Sequence, residues 1–349
     1  MARKATRTVI IGGGTAGSVL AARLSEMPDR SVALLEAGPD HDTYDSAVLD
    51  PARAADAWSG AAPIASTPMA TDGGVIPMFQ GRVLGGTSAV NGLATLRGLP
   101  ADYDAWAASG LEGWGWDDVV DTFIAAERDA DFAQSPIHGN SGPLPVRRWR
   151  RDELSRAQCA FYDGMAELGE PVVRDINDPS QLPGVGIFPV TIDDRGQRVT
   201  TSLAYLTPTV RARENLEIRT GADVARIEVT QGRGTGVALV SGVQFVAVVV
   251  VLAAGAIGSP LLLLRSGIGP RDHLLERGVQ VHADLPVGAT MSDHLGPGIP
   301  YRHSGARGGT AGPAQVLLFG SSNGADIDYH AFPIAQSPAE DETSFMMAV

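Results

Sequence analysis

The chain has 349 residues, 44% hydrophobic and 19% charged, which gives length for about two domains with a sizeable core and excludes a disordered polypeptide. A formal net charge of −13 argues against a surface built to neutralise nucleic-acid phosphates. The single cysteine, Cys159, excludes an intrachain disulfide and a cysteine-based zinc cluster.

The basic start MARKATR runs straight into an apolar strand, without the separate apolar segment and cleavage site of a secretion signal, so a cytoplasmic protein is expected. Val9, Ile10 and Ile11 stop at a glycine cluster, a helical pattern comes next, and a second apolar run from Val32 to Leu35 ends on Glu36. This is a βαβ unit. Gly12 and Gly14 permit a tight turn and close approach of a pyrophosphate, Gly17 lets helix and strand pack, and the helix N-terminus offers unpaired N–H groups. Glu36 stands 19 residues past Gly17, where an acid that holds a ribose hydroxyl pair belongs. The motif predicts a dinucleotide site and leaves NAD and FAD both open.

Beyond Glu36, an acidic loop runs to Asp50, and Ser59 to Gly74 reads as a turn-rich segment for the surface or for the side of a ligand. Trp58 just before it fits a core position or a cofactor ring. Gly81 to Gly92 (GRVLGGTSAVNG) is too glycine-dense for a helix or strand and suits a loop laid against a large flat or anionic ligand. Ala101 to Arg128 is amphipathic, with Trp106, Trp114 and Trp116 and with Asp117 as helix cap, and is expected to cover the sheet. His138 lies in a turn ending at Pro143 and reads as a loop residue rather than a base.

Composition shifts near Pro145, where we place the crossing into a second domain. The four arginines between Arg147 and Arg151 read as a solvated or salt-bridged face, ahead of a helix that holds Cys159. Gly184 to Ile192 and Val199 to Leu206 read as strand and loop, Leu216 to Val229 as a hairpin, and Val237 to Leu252 as two more strands. Val246 to Leu264 approaches the length of a membrane span, but Gly255 to Pro260 interrupts it, so a doubly buried strand and then a helix opening at Ser259-Pro260 are expected instead. A buried strand that ends in small residues before a helix repeats the opening unit, so the first domain resumes here with the second inserted.

These segments together resemble the glucose–methanol–choline (GMC) family of flavoprotein oxidoreductases: GGGTAG with Glu36-Ala37-Gly38, then GRVLGGTSAVNG, then AAGAIGSPLLLLRSGIGP from Ala253 to Pro270, with a further match at Asp293-His294. The resemblance implies an α/β fold, a Rossmann-like FAD-binding domain with a mostly parallel sheet and an inserted α+β substrate domain on an antiparallel sheet. The expected boundaries are 1–145 and 199–297 for the FAD domain, 146–198 and 298–349 for the substrate domain. It further implies FAD, with Gly12, Gly14, Thr15, Ala16 and Gly17 at the pyrophosphate and Glu36 with Ala37 at the ribose. Arg82 and the run Gly85, Gly86, Thr87, Asn91, Gly92, Leu93 and Ala94 would line the ribityl chain and ring, Val224 would meet the adenine, and Ala253, Ala254 and Gly255 would lie near the pyrophosphate.

Val90 occupies the position at which some members attach FAD to a histidine, so non-covalent FAD is expected. Thr290 replaces the usual asparagine before Asp293. The family's catalytic histidine lies in a later part of its members, and none of the seven histidines here has that context, so no catalytic residue is assigned and the base is expected beyond residue 349. His294 and His330 are the local candidates for a substitute base, although a histidine in a loop or strand is more often structural or at the surface. The implied activity is oxidation of an alcohol CH–OH by hydride transfer to flavin N5, with oxygen or another acceptor and with the missing part cut away or carried by a second polypeptide. Hydroxynitrile-lyase chemistry or a non-catalytic flavin-binding remnant is the alternative. No metal, nucleic-acid partner or membrane span is expected.

Overall fold

A computed structural model describes residues 8–54, 64–71, 74–293, 299–303, 312–322, 324, 326–335 and 343–348; Trp58 and His294 lie outside them. The chain forms two compact units, Met1–Tyr44 with Pro63–Val90 and Thr200–Asp293, and Asp45–Ala62 with Asn91–Val199 and His294–Val349.

The first unit is built on the apolar runs. Thr8–Ile11 and Val32–Leu35 are buried along their whole length. They form a four-stranded parallel sheet in the order Val249–Leu252, Thr8–Ile11, Val32–Leu35, Leu216–Arg219. Ile11 lies opposite both Leu35 and Leu252, so three strands end level. Because the neighbours of the central strand lie on its two sides, a crevice opens beyond these carboxyl ends.

Several local expectations are corrected here. Leu216–Arg219 and Val224–Thr230 do not pair with each other: the first joins the parallel sheet and the second pairs with Arg233–Leu239. The true hairpin turn is Gln231-Gly232, with φ of 50° and 73°, the left-handed pair that a tight turn requires. Val237 to Leu252 falls across three strands, Arg233–Leu239, Gln244–Val246 and Val249–Leu252. Within the stretch read as a turn-rich segment from Ser59 to Gly74, Ile64–Thr71 is a strand paired antiparallel with Gly74–Gly81 in a two-stranded sheet. Thr201–Tyr205 is a helix, because the Thr200 hydroxyl accepts from the Leu203 N–H and starts the turn. The later helix runs Gly255–Arg265 rather than from Ser259. Its Ser259 hydroxyl accepts from the Ala254 N–H at 3.1 Å, and Pro260 is tolerated inside at the loss of one helical N–H. Among the described residues no helix is long and apolar enough to cross a membrane.

The second unit carries a five-stranded antiparallel sheet in the order Ile299–His303, Thr343–Ala348, Tyr329–Ala335, Val316–Gly320, Gly184–Ile187. Its core gathers Val185, Phe188, Val316 to Phe319, Ala331, Trp149 and Leu93. Helices Pro100–Ala108 and Trp116–Ala126, expected to cover the parallel sheet, belong to this unit, and they pack on each other where Tyr103 sets its ring against Trp106, Trp116 and Phe123 within 5.4–5.8 Å. Asp118, not Asp117, closes the second helix start by accepting from the Gly115 N–H at 3.0 Å. Residues 91–145 thus lie with the second unit, where the sequence places the crossing near Pro145. Cys159 is half-buried on helix Arg156–Glu167.

Candidate functional site

The crevice of the first unit is a cleft of about 650 Å³, a size typical of small-molecule sites. Helix Thr15–Leu24 starts at its floor, and the N–H groups of its first turn have no intrahelical acceptor. Gly12 has φ of 98°, and a side chain there would collide with the Ala253 carbonyl. A Cβ on Gly17 would collide with the Gly12 carbonyl, so the helix can approach the strand turn only as glycine. Gly85 donates its N–H to the Gly13 carbonyl at 2.7 Å, which seats the second glycine-rich loop on the first.

Glu36 is 6% exposed and accepts from the Gly13 N–H at 2.7 Å and the Gly38 N–H at 2.8 Å. Burial raises its pKa above the usual carboxylate value, and these N–H donors offset part of that rise. Each oxygen keeps a lone pair for a hydroxyl donor.

Of the sequence-predicted residues, Gly12, Gly14, Thr15, Ala16, Glu36 and Ala37 line the cleft, joined by Arg82, Gly86 and Thr87 from the second loop. Val224, Ala253, Ala254 and Gly255 complete the wall. Gly17 is buried behind it, and Gly85 is buried beneath the loop. Asn91, Gly92, Leu93 and Ala94 belong to the second unit. There Gly92 and Ala94 line an apolar cavity of about 250 Å³ with Leu96, Phe188, Leu317 and Phe332. His330 stands at its wall, edge-on to Phe319 at 4.3 Å, and partial desolvation of the ring lowers its pKa.

His138 is not an ordinary loop residue. It is 5% exposed, and its Nδ1 lies 2.7 Å from Glu127 and 3.1 Å from Asp129 while Nε2 lies 2.6 Å from Asp175. Arg148 binds Asp129 and, at 2.7 Å, Asp175; Arg97 binds Glu127 at 2.7 Å. With carboxylates at both nitrogens, the ring donates twice and is an imidazolium. Burial works against that charge, but the hydrogen bonds to Asp129, Asp175 and Glu127 outweigh it and push the pKa up to about 10. Burial likewise opposes ionisation of Asp129 and Asp175, and bonds from His138 and Arg148 hold both below the usual carboxylate range. Glu127, Asp129 and His138 have metal-ligand types and proximity, yet both imidazole nitrogens are already committed, which leaves no lone pair for an ion.

The profile of the family described as GMC oxidoreductase matches residues 6–296. This chain belongs to that family. GMC oxidoreductases use FAD, and the crevice of the first unit is the family's Rossmann-like fold seen at its strand ends. The chain is 37% identical to the 5-(hydroxymethyl)furfural oxidase of Methylovorus sp. over 91% of its length and 63% of that protein's. It is 38% identical to the pyridoxine 4-oxidase of Microbacterium luteolum over 82% of its length and 57% of that protein's. The crystal structure of pyridoxine 4-oxidase from Mesorbium loti superposes with a TM-score of 0.87 at 32% identity, covering 98% of this chain and 70% of that one. The chain thus spans less than two thirds of the curated relatives it matches. Those relatives are longer than this chain, and the match to them gives no support to a separate second polypeptide.

Sequence reading of this GMC chain missed Gln80, Asp223, Ser259 and Arg265 on the cleft wall. Arg82 and Asp223 form an ion pair at 3.0 Å across 141 residues, a distance no local pattern reveals. The His138 cluster was equally hidden; of its members only Arg148 falls in the arginine run between Arg147 and Arg151.

Proposed function

We propose that this chain binds FAD non-covalently and serves the oxidation of an alcohol CH–OH group. The cleft carries the reading: a buried carboxylate, a glycine turn and a free helix N-terminus stand on one crevice in the arrangement a dinucleotide needs. The first-turn N–H groups at Thr15 and Ala16 would hold the pyrophosphate, and Glu36 would accept from the adenosine ribose. Val224 would lie at the adenine, and Ala253 to Gly255 would close the pyrophosphate side. Asn91 to Ala94 would serve the ring end by family likeness. When bound, FAD supplies the hydride acceptor at N5.

The substrate body we infer is uncharged and apolar, such as an aromatic ring bearing a hydroxymethyl group. The cavity beside Gly92 and Ala94 supports this, since its wall is hydrocarbon apart from the imidazole of His330. The names of the 5-(hydroxymethyl)furfural and pyridoxine oxidases agree with it. No proton-transfer role is assigned to His330.

Adding an aromatic alcohol without oxygen to a chain of the relatives' full length tests the reading. Bleaching of the yellow colour supports alcohol oxidation; no bleaching with any alcohol contradicts it and favours a lyase or a non-catalytic flavoprotein.

A further inference from the structure

From Gly98 to Ala126 the chain holds no lysine, arginine or histidine, and Asp102, Asp104, Glu112, Asp117, Asp118 and Asp121 make it strongly acidic. The stretch forms a helical hairpin of the second unit, Pro100–Ala108 and Trp116–Ala126, and neither helix has a buried residue. Its rings divide into two sets. Tyr103, Trp116 and Phe123 are half-buried and hold the two helices together, with centroids 5.8–6.4 Å apart. Trp106 and Trp114 lie outside that packing, 46% and 51% exposed, tilted against each other at 5.8 Å, with Leu111 of the connecting turn 50% exposed. The Leu111 N–H donates to the Trp106 carbonyl and the Trp114 N–H to the Leu111 carbonyl, both at 3.2 Å, so one fixed turn presents all three.

The hairpin carries more carboxylates than its folding uses. Asp102, Asp104 and Asp118 accept from the N–H groups of Leu99, Trp116 and Gly115, and Asp117 in the first turn suits the helix dipole. The exposed side chains of Glu112 and Asp121 make no hydrogen bond or ion pair among the described residues. Asp117 and Asp121 stand four apart on one helix face, a like-charge pairing that disfavours the helix. Elsewhere carboxylates are matched to arginines, as in Asp40–Arg211, Glu153–Arg147 and Asp163–Arg151, whereas none of the hairpin's six makes an ion pair among the described residues. An exposed aromatic patch rimmed by unmatched anions has its complement in a surface that is apolar and cationic. Arginine meets both demands, because its guanidinium stacks on an indole face and donates in a fork to a carboxylate.

We propose that this hairpin is a docking surface for an arginine-rich, amphipathic segment of a partner protein. Arginines of the segment stack on Trp106 and Trp114 and pair with Glu112, Asp117 and Asp121, while its apolar side chains cover Leu111. The surface lies wholly within the second unit, and the proposal does not depend on the FAD reading. Tryptophans that fill a partner's contact carry most of the binding energy of such interfaces, and the rim charges set approach and salt dependence.

The test is calorimetric titration of the 349-residue chain with a synthetic peptide of arginine and leucine at helical spacing, and with a lysine–glycine peptide of equal charge. Saturable binding of the arginine–leucine peptide, weakened by salt and at least about tenfold tighter than the lysine–glycine peptide, is the expected result. Trp106→Ala with Trp114→Ala should lower the affinity about tenfold, and so should Glu112→Gln with Asp117→Asn and Asp121→Asn. Neutralising three exposed acids of the first unit, Glu217→Gln, Glu228→Gln and Glu276→Gln, should change it by less than about twofold. Equal losses in the two neutralised variants would reduce the binding to the net charge of −13 and overturn the proposal. Unchanged affinity in the tryptophan variant, equal binding of the two peptides, or no saturable binding would overturn it as well. Should the double tryptophan variant fail to fold, Trp114→Ala alone decides, a loss of about threefold or more supporting the proposal and an unchanged affinity overturning it. A chain that sediments as a dimer, and as a monomer once Trp114 is replaced, would assign the surface to a second copy and overturn the proposal.

Discussion

The two units manage buried polarity in opposite ways. The cleft of the first draws on backbone N–H groups and one buried carboxylate, Glu36, whose glycine turn, helix start and acid lie within thirty residues of chain, with further wall from residues 80–87, 222–224 and 252–265. The second unit buries a six-residue charge cluster, Arg97, Glu127, Asp129, His138, Arg148 and Asp175, collected from five separate segments. The first arrangement leaves donors free and so presents a site. The second satisfies its charges internally and ties segments together, the difference between a surface made for a ligand and a fastener.

That contrast predicts different consequences of mutation. Breaking a buried ion pair leaves its partner uncompensated, so Asp129→Ala is expected to cost about 3–5 kcal/mol in denaturant unfolding while the folded variant keeps its ADP affinity. Loss of ADP binding at unchanged stability would reverse the roles assigned to the two regions. Glu36→Gln removes a charged acceptor and should weaken FAD and ADP alike by about 1.5–3 kcal/mol in an equilibrium titration, and should also cost about 1–3 kcal/mol of stability, since its NH2 cannot accept from one of the Gly13 and Gly38 N–H groups. Gly17→Ala places a methyl against the Gly12 carbonyl and should cost about 1–3 kcal/mol of stability as well as nucleotide affinity.

The cluster also sets a pH profile. The folded pKa of His138 is raised from 6.5 to about 10, so its contribution is fully present below 6.5 and is lost as pH rises through about 10. The depressed Asp129 and Asp175 contribute above 3.8, their ordinary value, and that part is lost as pH falls through their folded values. Unfolding free energy should therefore decline between pH 6.5 and 10, and replacing His138 with glutamine should flatten that alkaline limb. The smallest effect is expected at Arg82–Asp223, whose side chains are half-exposed: Arg82→Met should change stability by less than about 1 kcal/mol.

The same contrast explains what the sequence made legible. Gly12, Gly14, Gly17 and Glu36 could be read because strand, turn, helix and second strand impose their spacing within one continuous stretch. Two parallel strands and the strand–helix unit at Val249–Arg265 were readable for the same reason, as apolar runs with glycine at the end, although Val249–Leu252, expected to be buried on both faces, runs from exposed to half-buried. Leu216–Arg219 was misread because its alternating pattern fits a hairpin and a sheet edge equally well, and only the Gln231-Gly232 turn decides which strands pair. His138 was misread because nothing near it in sequence announces Asp175, 37 residues away. Charge clusters closed by tertiary contact leave no periodic trace.

The most direct measurement of the central claim is titration of the purified apoprotein with FAD, then competition with ADP and acid precipitation. One FAD per chain, displaced by ADP and released free into the acid supernatant, is the predicted result. No saturable FAD binding, FAD binding indifferent to ADP, or yellow colour retained in the precipitate would contradict it.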